Sequence, residues 1–259
     1  MAARRFLATA LFAAAGALAV LAAPARAAGE GVALPGLDWS FDGVFGHFDR
    51  AQVQRGLQVY LTVCSGCHSL NLIAYRNLAE IGYSVDEIKA IAAQYEVEDG
   101  PNDDGEMYTR PARPSDYFVP PFANTKAAAA ANNGAVPPDL SLITKAREGG
   151  ADYVHALMIG YEEDPGDHEV MEGLYFNPYF PGQQLAMPQP LYGDDVTYAD
   201  GTATTIDQEA RDVAAFLAWT GEPNLEVRKR MGMKVILFTI VLTLLLYASK
   251  RKVWRNVHH

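Results

Sequence analysis

Cys64-Ser65-Gly66-Cys67-His68 is the stretch that decides how this chain is built. Two thiols flanking two residues, with a histidine immediately after, form the attachment signature of a c-type haem. The thiols add to the haem vinyl groups as thioethers, and the next residue, His68, is held beneath the iron as an axial ligand. Cys64 and Cys67 are the only cysteines among the 259 residues, so covalent attachment uses every thiol the chain has. Competing readings of the pentapeptide are weaker. A structural zinc site needs two further Cys or His ligands, and His47, His155, His168, His258 and His259 show no such paired spacing. A thioredoxin-like pair does not require the histidine, and no βαβ pattern surrounds this one.

Outward from the motif, the two ends of the chain carry the apolar runs. Arg4 and Arg5 precede an alanine-rich stretch over residues 6–23, and Ala25-Arg26-Ala27 fits a small-x-small cleavage site. Residues 1–27 therefore read as a cleaved export signal, which agrees with haem attachment outside the cytoplasm. Near the other end, residues 235–248 contain no charge. They would span only about 21 Å as a helix, whereas residues 231–249 reach about 28 Å, close to a bilayer core of about 30 Å. Lys234 lies near the end of that longer run and can snorkel to the headgroups. Arg228, Lys229 and Arg230 precede the run, Lys250, Arg251, Lys252 and Arg255 follow it, and Trp254 adds an interfacial aromatic. The expected organisation is a haem domain over 28–227, a transmembrane anchor over 228–249 and a basic cytoplasmic tail over 250–259.

Charge is segregated along the same boundaries. Three of the 21 Lys and Arg lie in the signal and eight from Arg228 onward. The remaining 10 share residues 28–227 with all 31 Asp and Glu, a formal charge of −21 against −10 for the whole chain. Such a body sets up a field that attracts a basic partner and speeds its encounter in a salt-dependent way. The runs 96–106 and 162–169 are the densest acidic segments.

About 200 residues between the apolar ends suffice for one domain with a real core. A helix leads into the haem motif, capped by Asp49, with Val53, Leu57, Tyr60 and Leu61 at helical spacing. Ser84 and Glu87 stand at capping-box spacing at the head of a helix over 84–95. Residues 96–121 read as irregular, 126–131, 139–148 and 151–159 as short helices, and 161–190, with five prolines, as a long loop. Thr205 opens a helix that runs to about Thr220. Few alternating runs suggest strands, so the expected fold is mainly α: a cytochrome c-like haem domain with long loops and one C-terminal transmembrane helix.

The position opposite His68 decides between carrying electrons and doing chemistry on a bound ligand. A methionine thioether there stabilises ferrous haem. Met1 is in the signal, Met231 and Met233 are at the membrane, Met158 reads as core, and Met107 and Met171 lie in acidic loops. Met187 lies in Leu185-Ala186-Met187-Pro188-Gln189-Pro190, an apolar loop stiffened by proline. On the residues alone Met187 leads, with the other loop methionines and a histidine still open.

Longer runs narrow the reading. These are Arg55-Gly56-Leu57-Gln58-Val59-Tyr60, Asp99-Gly100-Pro101-Asn102 and Ser115-Asp116-Tyr117-Phe118. Ala131-Asn132-Asn133-Gly134-Ala135-Val136-Pro137-Pro138-Asp139-Leu140-Ser141 and Gly173-Leu174-Tyr175-Phe176-Asn177-Pro178-Tyr179-Phe180-Pro181-Gly182 continue the series. With the basic start of the tail, they make nearly all of the mature chain resemble the cytochrome c1 family, in a bacterial version. The resemblance implies one haem c bound through Cys64 and Cys67, with His68 and Met187 as its axial ligands. It also implies that Arg147 pairs with a haem propionate, and that Asn132, Pro137, Pro138 and Tyr153 line the pocket. A backbone carbonyl near the prolines would take the Nδ1–H of His68. Some bacterial relatives carry an extra disulfide before the ligand methionine; here both cysteines belong to haem, which leaves packing and proline to hold that loop. The implied role is electron transfer in the ubiquinol–cytochrome c reductase complex, without catalysis by this chain alone. Its partners would be cytochrome b, a Rieske iron–sulfur protein, a soluble or anchored cytochrome c, and membrane lipid, with no nucleic acid. The haem domain would stand on the periplasmic side of the inner membrane. The rival reading is a membrane-anchored haem enzyme or sensor with an open axial position.

Overall fold

The computed structural model describes residues 32–163, 166 and 170–256; the expected signal, 1–27, lies outside them, as does much of the acidic run 162–169. Asp49 caps helix α1 (Arg50–Val59), its carboxylate accepting from the N–H groups of Ala51 and Gln52. At Tyr60–Cys64 the helix widens into a π-turn that delivers the chain to the haem motif. A 3₁₀ segment (Tyr75–Ile81) follows, then α2 (Val85–Ala92), headed by the Ser84–Glu87 capping box. The antiparallel pair β1 (Glu96–Asp99) and β2 (Tyr108–Pro111) comes next, with Glu96 opposite Pro111 and Asp99 opposite Tyr108. The order continues with α3 (Thr125–Ala131), α4 (Ile143–Ala146), α5 (Gly150–Ile159) and a two-residue ladder of β3 (Tyr175–Phe176) with β4 (Gln184–Leu185). Two long helices close it, α6 (Ile206–Gly221) and α7 (Leu225–Val253). The fold is mainly helical, as the sequence implies.

Three stretches differ from expectation. Residues 96–111 form a hairpin without an alternating apolar pattern. Charge holds it instead: the Arg110 guanidinium bonds the Asp99 carboxylate and makes a bidentate pair with Asp116 at 2.6 and 3.1 Å. Residues 139–148 do not form one helix. The Asp139 carboxylate accepts from Ser69 Oγ, the Asn71 N–H and the Ser141 N–H, which holds that segment as loop and leaves only α4 helical. The third is α2, which stops at Ala92 because Tyr95 turns into the hairpin, its carbonyl accepting from the Ala112 N–H.

The core forms where α1 crosses α6. Gly56 sits at the crossing, where a Cβ would come within 2.0 Å of the Asp212 carbonyl oxygen and 2.6 Å of Phe216 Cβ. Beside it, Arg55 reaches over to the fully buried Asp212 with two bonds of 2.9 and 3.1 Å, and to Asp200 at 2.8 Å. Burial works against the Arg55 charge, but the hydrogen bonds to Asp212 and Asp200 outweigh it and hold its pKa above the usual value. An aromatic series extends from this crossing: Trp219, Phe216, Tyr60, Phe118 and Tyr75, with successive centroids 4.5 to 6.2 Å apart. The π-turn that precedes the haem motif is thereby pinned by Tyr60 to the centre of the core.

Helix α7 follows α6 after only three residues. Glu222 in that link pairs with Lys145 at 2.7 Å and with Arg228, while Glu226 pairs with Arg50 at 2.7 Å and accepts from the Phe48 N–H at 3.1 Å. Beyond this base the helix is long and apolar enough to cross a membrane, and none of its apolar window is buried against the rest of the chain.

Two predictions follow from the packing. Gly56→Ala is expected to cost at least about 1–3 kcal/mol, since overpacking here meets backbone rather than a movable side-chain end; chemical denaturation of the haem-loaded protein measures it. Glu209, wholly buried in α6, is pushed up to about 7 from 4.5, by burial and then by the Asp195 carboxylate. A raised carboxyl pKa stabilises the fold fully below the unfolded value and loses that contribution as pH rises through the folded one. Glu209→Gln is therefore expected to be more stable than the parent above neutral pH, by roughly 1–3 kcal/mol, with the gap closing below the unfolded pKa. Thermal melts across that pH range would read it.

Candidate haem centre

The π-turn sets the geometry of the motif. The Ser65 N–H bonds back five residues to the Tyr60 carbonyl at 2.8 Å, and the N–H groups of Cys67 and His68 both bond to the Cys64 carbonyl, at 3.1 and 2.9 Å. Both thiols are thus carried on one tight turn, Cys64 half-buried and Cys67 exposed, with no disulfide between them. Burial, and then the neighbouring Cys67, push the Cys64 thiol up to about 12. A redox nucleophile of the thioredoxin kind has its thiol shifted the other way. Among the described residues no group of three or more His, Cys, Asp or Glu side chains is placed to hold a metal ion.

His68 has its tautomer fixed. Its Nδ1 lies 2.8 Å from the Pro138 carbonyl. A carbonyl only accepts, so Nδ1 carries the proton and Nε2 keeps a free lone pair. Burial lowers the His68 pKa, while the bond to Pro138 and the charge of Asp139 oppose the shift. The ring is a neutral imidazole oriented through its far nitrogen, as for metal-bound histidines generally. Tyr60 donates its hydroxyl to the His68 carbonyl at 2.9 Å, which ties the ligand's backbone to the core.

The Pro137-Pro138 loop is stitched to the motif by a second set of bonds. The Leu140 N–H reaches the Ser69 carbonyl at 2.9 Å, and the Leu72 N–H reaches Ser141 Oγ at 3.1 Å. Asp139 is the knot between the strings, as its three donors show. Asn132 closes α3, its side-chain amide donating to the Ala128 carbonyl at 2.8 Å, and begins the turn that leads to the prolines. On the other side, Arg147 follows α4, with one guanidinium nitrogen 3.2 Å from the Ala146 carbonyl. Tyr153 of α5 stands beside it: burial raises that phenol and the Arg147 charge pulls it back. The Met187 carbonyl accepts from the Tyr161 hydroxyl at 3.0 Å. Burial raises the Tyr161 phenol, and the nearby Tyr153 and Tyr175 add to the shift.

The contacts therefore gather His68 with Pro138, Arg147 with Tyr153, and Met187 with Tyr161, which lies in electrostatic range of Tyr153. Met187 is half-buried, whereas Met107 and Met171 are 55% and 60% exposed, and Met158 packs against the core as expected. Tyr60, Asp139 and Tyr161 escaped the sequence reading as site residues. Tyr60 stands one helical turn before Cys64, and Asp139 directly follows the proline pair; those positions were the available signals.

The donor set fits a covalently attached haem: two thiols on one turn, and a neutral imidazole whose outer nitrogen is free and whose inner nitrogen is spent on a carbonyl. With a mainly helical body and a C-terminal apolar helix, this defines a membrane-anchored c-type cytochrome. The model of the Cytochrome C1 family matches residues 39–257. Cytochrome c1 of Rhodospirillum rubrum is 49% identical, over 95% of this chain and 96% of that one. The mitochondrial cytochrome c1 haem protein of Schizosaccharomyces pombe is 49% identical over 85% of this chain and 72% of its own length. Cytochrome b/c1 of Bradyrhizobium diazoefficiens is 50% identical over 86% of this chain and 36% of its own. The chain belongs to the cytochrome c1 family. It is a haem-bearing electron-transfer subunit of a bc1 complex and carries one covalently bound haem c.

Proposed function

We propose that this chain takes single electrons from a Rieske iron–sulfur protein and passes them to a soluble or anchored cytochrome c, with the haem domain on the periplasmic side of the membrane. The observation that carries the reading is the His68 tautomer, fixed by the Pro138 carbonyl in a chain whose two cysteines are both in the attachment motif. Bound haem c supplies a one-electron iron couple. Cys64 and Cys67 would hold it covalently, His68 and Met187 would ligate its iron, and Arg147 would meet a propionate. A guanidinium suits a carboxylate through bidentate geometry. Asn132, Pro137, Pro138 and Tyr153 close the pocket. In this reading the chain's own residues would orient the iron's ligands and exclude water, and no substrate bond would be made or broken at the iron. Residues 1–27 are removed on export, 28–227 form the haem domain, 228–249 the membrane segment beside cytochrome b and lipid, and 250–259 the cytoplasmic tail.

Ligation by Met187 is tested by Met187→His. The midpoint potential of the haem is expected to fall and the weak red band of a thioether-ligated ferric haem to disappear. Met107→Ala and Met171→Ala should leave both unchanged. Retention of that band in Met187→His, or rapid carbon monoxide binding by the reduced parent protein, would sink the assignment.

The acidic hairpin is the proposed docking surface for a basic cytochrome c. Glu96, Glu98, Asp103, Asp104 and Glu106 are all exposed, whereas Asp99 is engaged with Arg110. Converting those five to amides in the assembled complex is expected to lower kcat/KM for cytochrome c reduction by about tenfold or more and to flatten its dependence on ionic strength. An unchanged salt profile would place docking elsewhere.

A further inference from the structure

Phe45 is 82% exposed and Val44 62%, whereas the neighbouring Trp39 and Phe48 are buried and Phe41 is half-buried. They form the tip of a turn, 42–46, that is held firmly from below. Trp39 stacks on Phe41 at 5.4 Å and Phe41 on Phe48 at 5.1 Å. The Asp42 N–H bonds to the Trp39 carbonyl at 3.0 Å and the His47 N–H to the Ser40 carbonyl at 2.9 Å. Gly43 lies at φ +64°, and a Cβ on Gly46 would fall 1.9 Å from the Asp42 carbonyl oxygen, so the turn is as tight as a backbone permits. A loop built so closely and presenting two bare apolar side chains marks a contact surface.

The register of that loop along α7 says what the surface meets. Phe48 bonds to Glu226 through its N–H. Further along the helix, Lys229 Nζ donates to the carbonyls of Phe41 at 2.7 Å and Gly46 at 3.2 Å. Lys229 thus clasps both ends of the turn, and with the Glu226 bond to Phe48 it holds the loop against the base of α7. Val44 and Phe45 lie between those two clasped ends, at the tip of the turn. The apolar part of α7 begins at Met231, about 3 Å of helix rise beyond Lys229. Arg228, Lys229 and Arg230 ring the same level, a basic collar suited to lipid phosphates.

We propose that the turn 42–46 is a second membrane contact, in which Val44 and Phe45 enter the headgroup region of the bilayer beside α7. The occupant is lipid rather than protein because the turn is held by Lys229, within the basic collar from which the apolar run of the anchor starts. An apolar pair flanked by cations is the arrangement used by segments that lie in the interface. With one helix alone the haem domain could rotate about its stalk axis; a second point of insertion fixes its tilt.

This rests on α7 being the membrane anchor, and the test separates the two. A photocrosslinking benzoylphenylalanine is placed singly at positions 45, 85, 238 and 240 of the chain in the assembled complex, in vesicles of phosphatidylcholine and phosphatidylglycerol. Positions 238 and 240 lie about 200° apart around α7, so at least one faces away from any one neighbouring helix. Lipid adducts at 45, well above those at the exposed Val85 of α2, together with adducts at 238 or 240, support the proposal. Lipid adducts at 238 or 240 with only protein adducts, or none, at 45 overturn it. Lipid adducts at neither 238 nor 240 remove the anchor reading and the proposal with it.

Discussion

The backbone contact between Gly56 and Asp212 is the constraint on which the rest of the molecule depends. Helices α1 and α6 approach there too closely for any Cβ at position 56, and the buried pair of Arg55 and Asp212 locks their register. A buried ion pair of this kind costs desolvation, and its bidentate geometry and further bonds are what offset that cost. What it secures is direction. One helix runs straight into the haem motif, and the other runs into the membrane helix. The crossing therefore joins the ligand to the anchor through rigid elements, with Tyr60 and Phe216 in contact at its centre.

Much of this was legible in the residues. Asp49, Ser84 and Thr205 announce helix starts because a short polar side chain satisfies N–H groups that the helix leaves open. The motif at Cys64 to His68 is local by nature, so its reading needed no tertiary information. Elsewhere long-range bonds decided the outcome. Asp139 looked like a helix start, yet its carboxylate serves Ser69 and Asn71, some seventy positions away in sequence. The hairpin at 96–111 lacked alternation because Arg110, Asp99 and Asp116 hold it from the side. Tyr161 gave no local sign of its bond to the Met187 carbonyl. The haem motif was visible as a local pattern; the residues that hold it in position mostly were not.

The same division runs through the electrostatics. Acidic side chains that structure the fold are engaged by arginine, lysine or backbone donors, as with Asp212, Asp116, Glu222 and Glu226. Those of the hairpin, Glu96, Glu98, Asp103, Asp104 and Glu106, are exposed. Charge that the fold does not consume is available to set the orientation of an approaching partner.

Only three residues separate α6 from α7, and Glu222 within them is clasped from both sides by Lys145 and Arg228. Such a joint has no slack. The haem domain and α7 are therefore joined so that a shift of one is carried directly to the other. A domain mounted so stiffly does not swing about that joint to meet anything; whatever exchanges electrons with it has to come within reach.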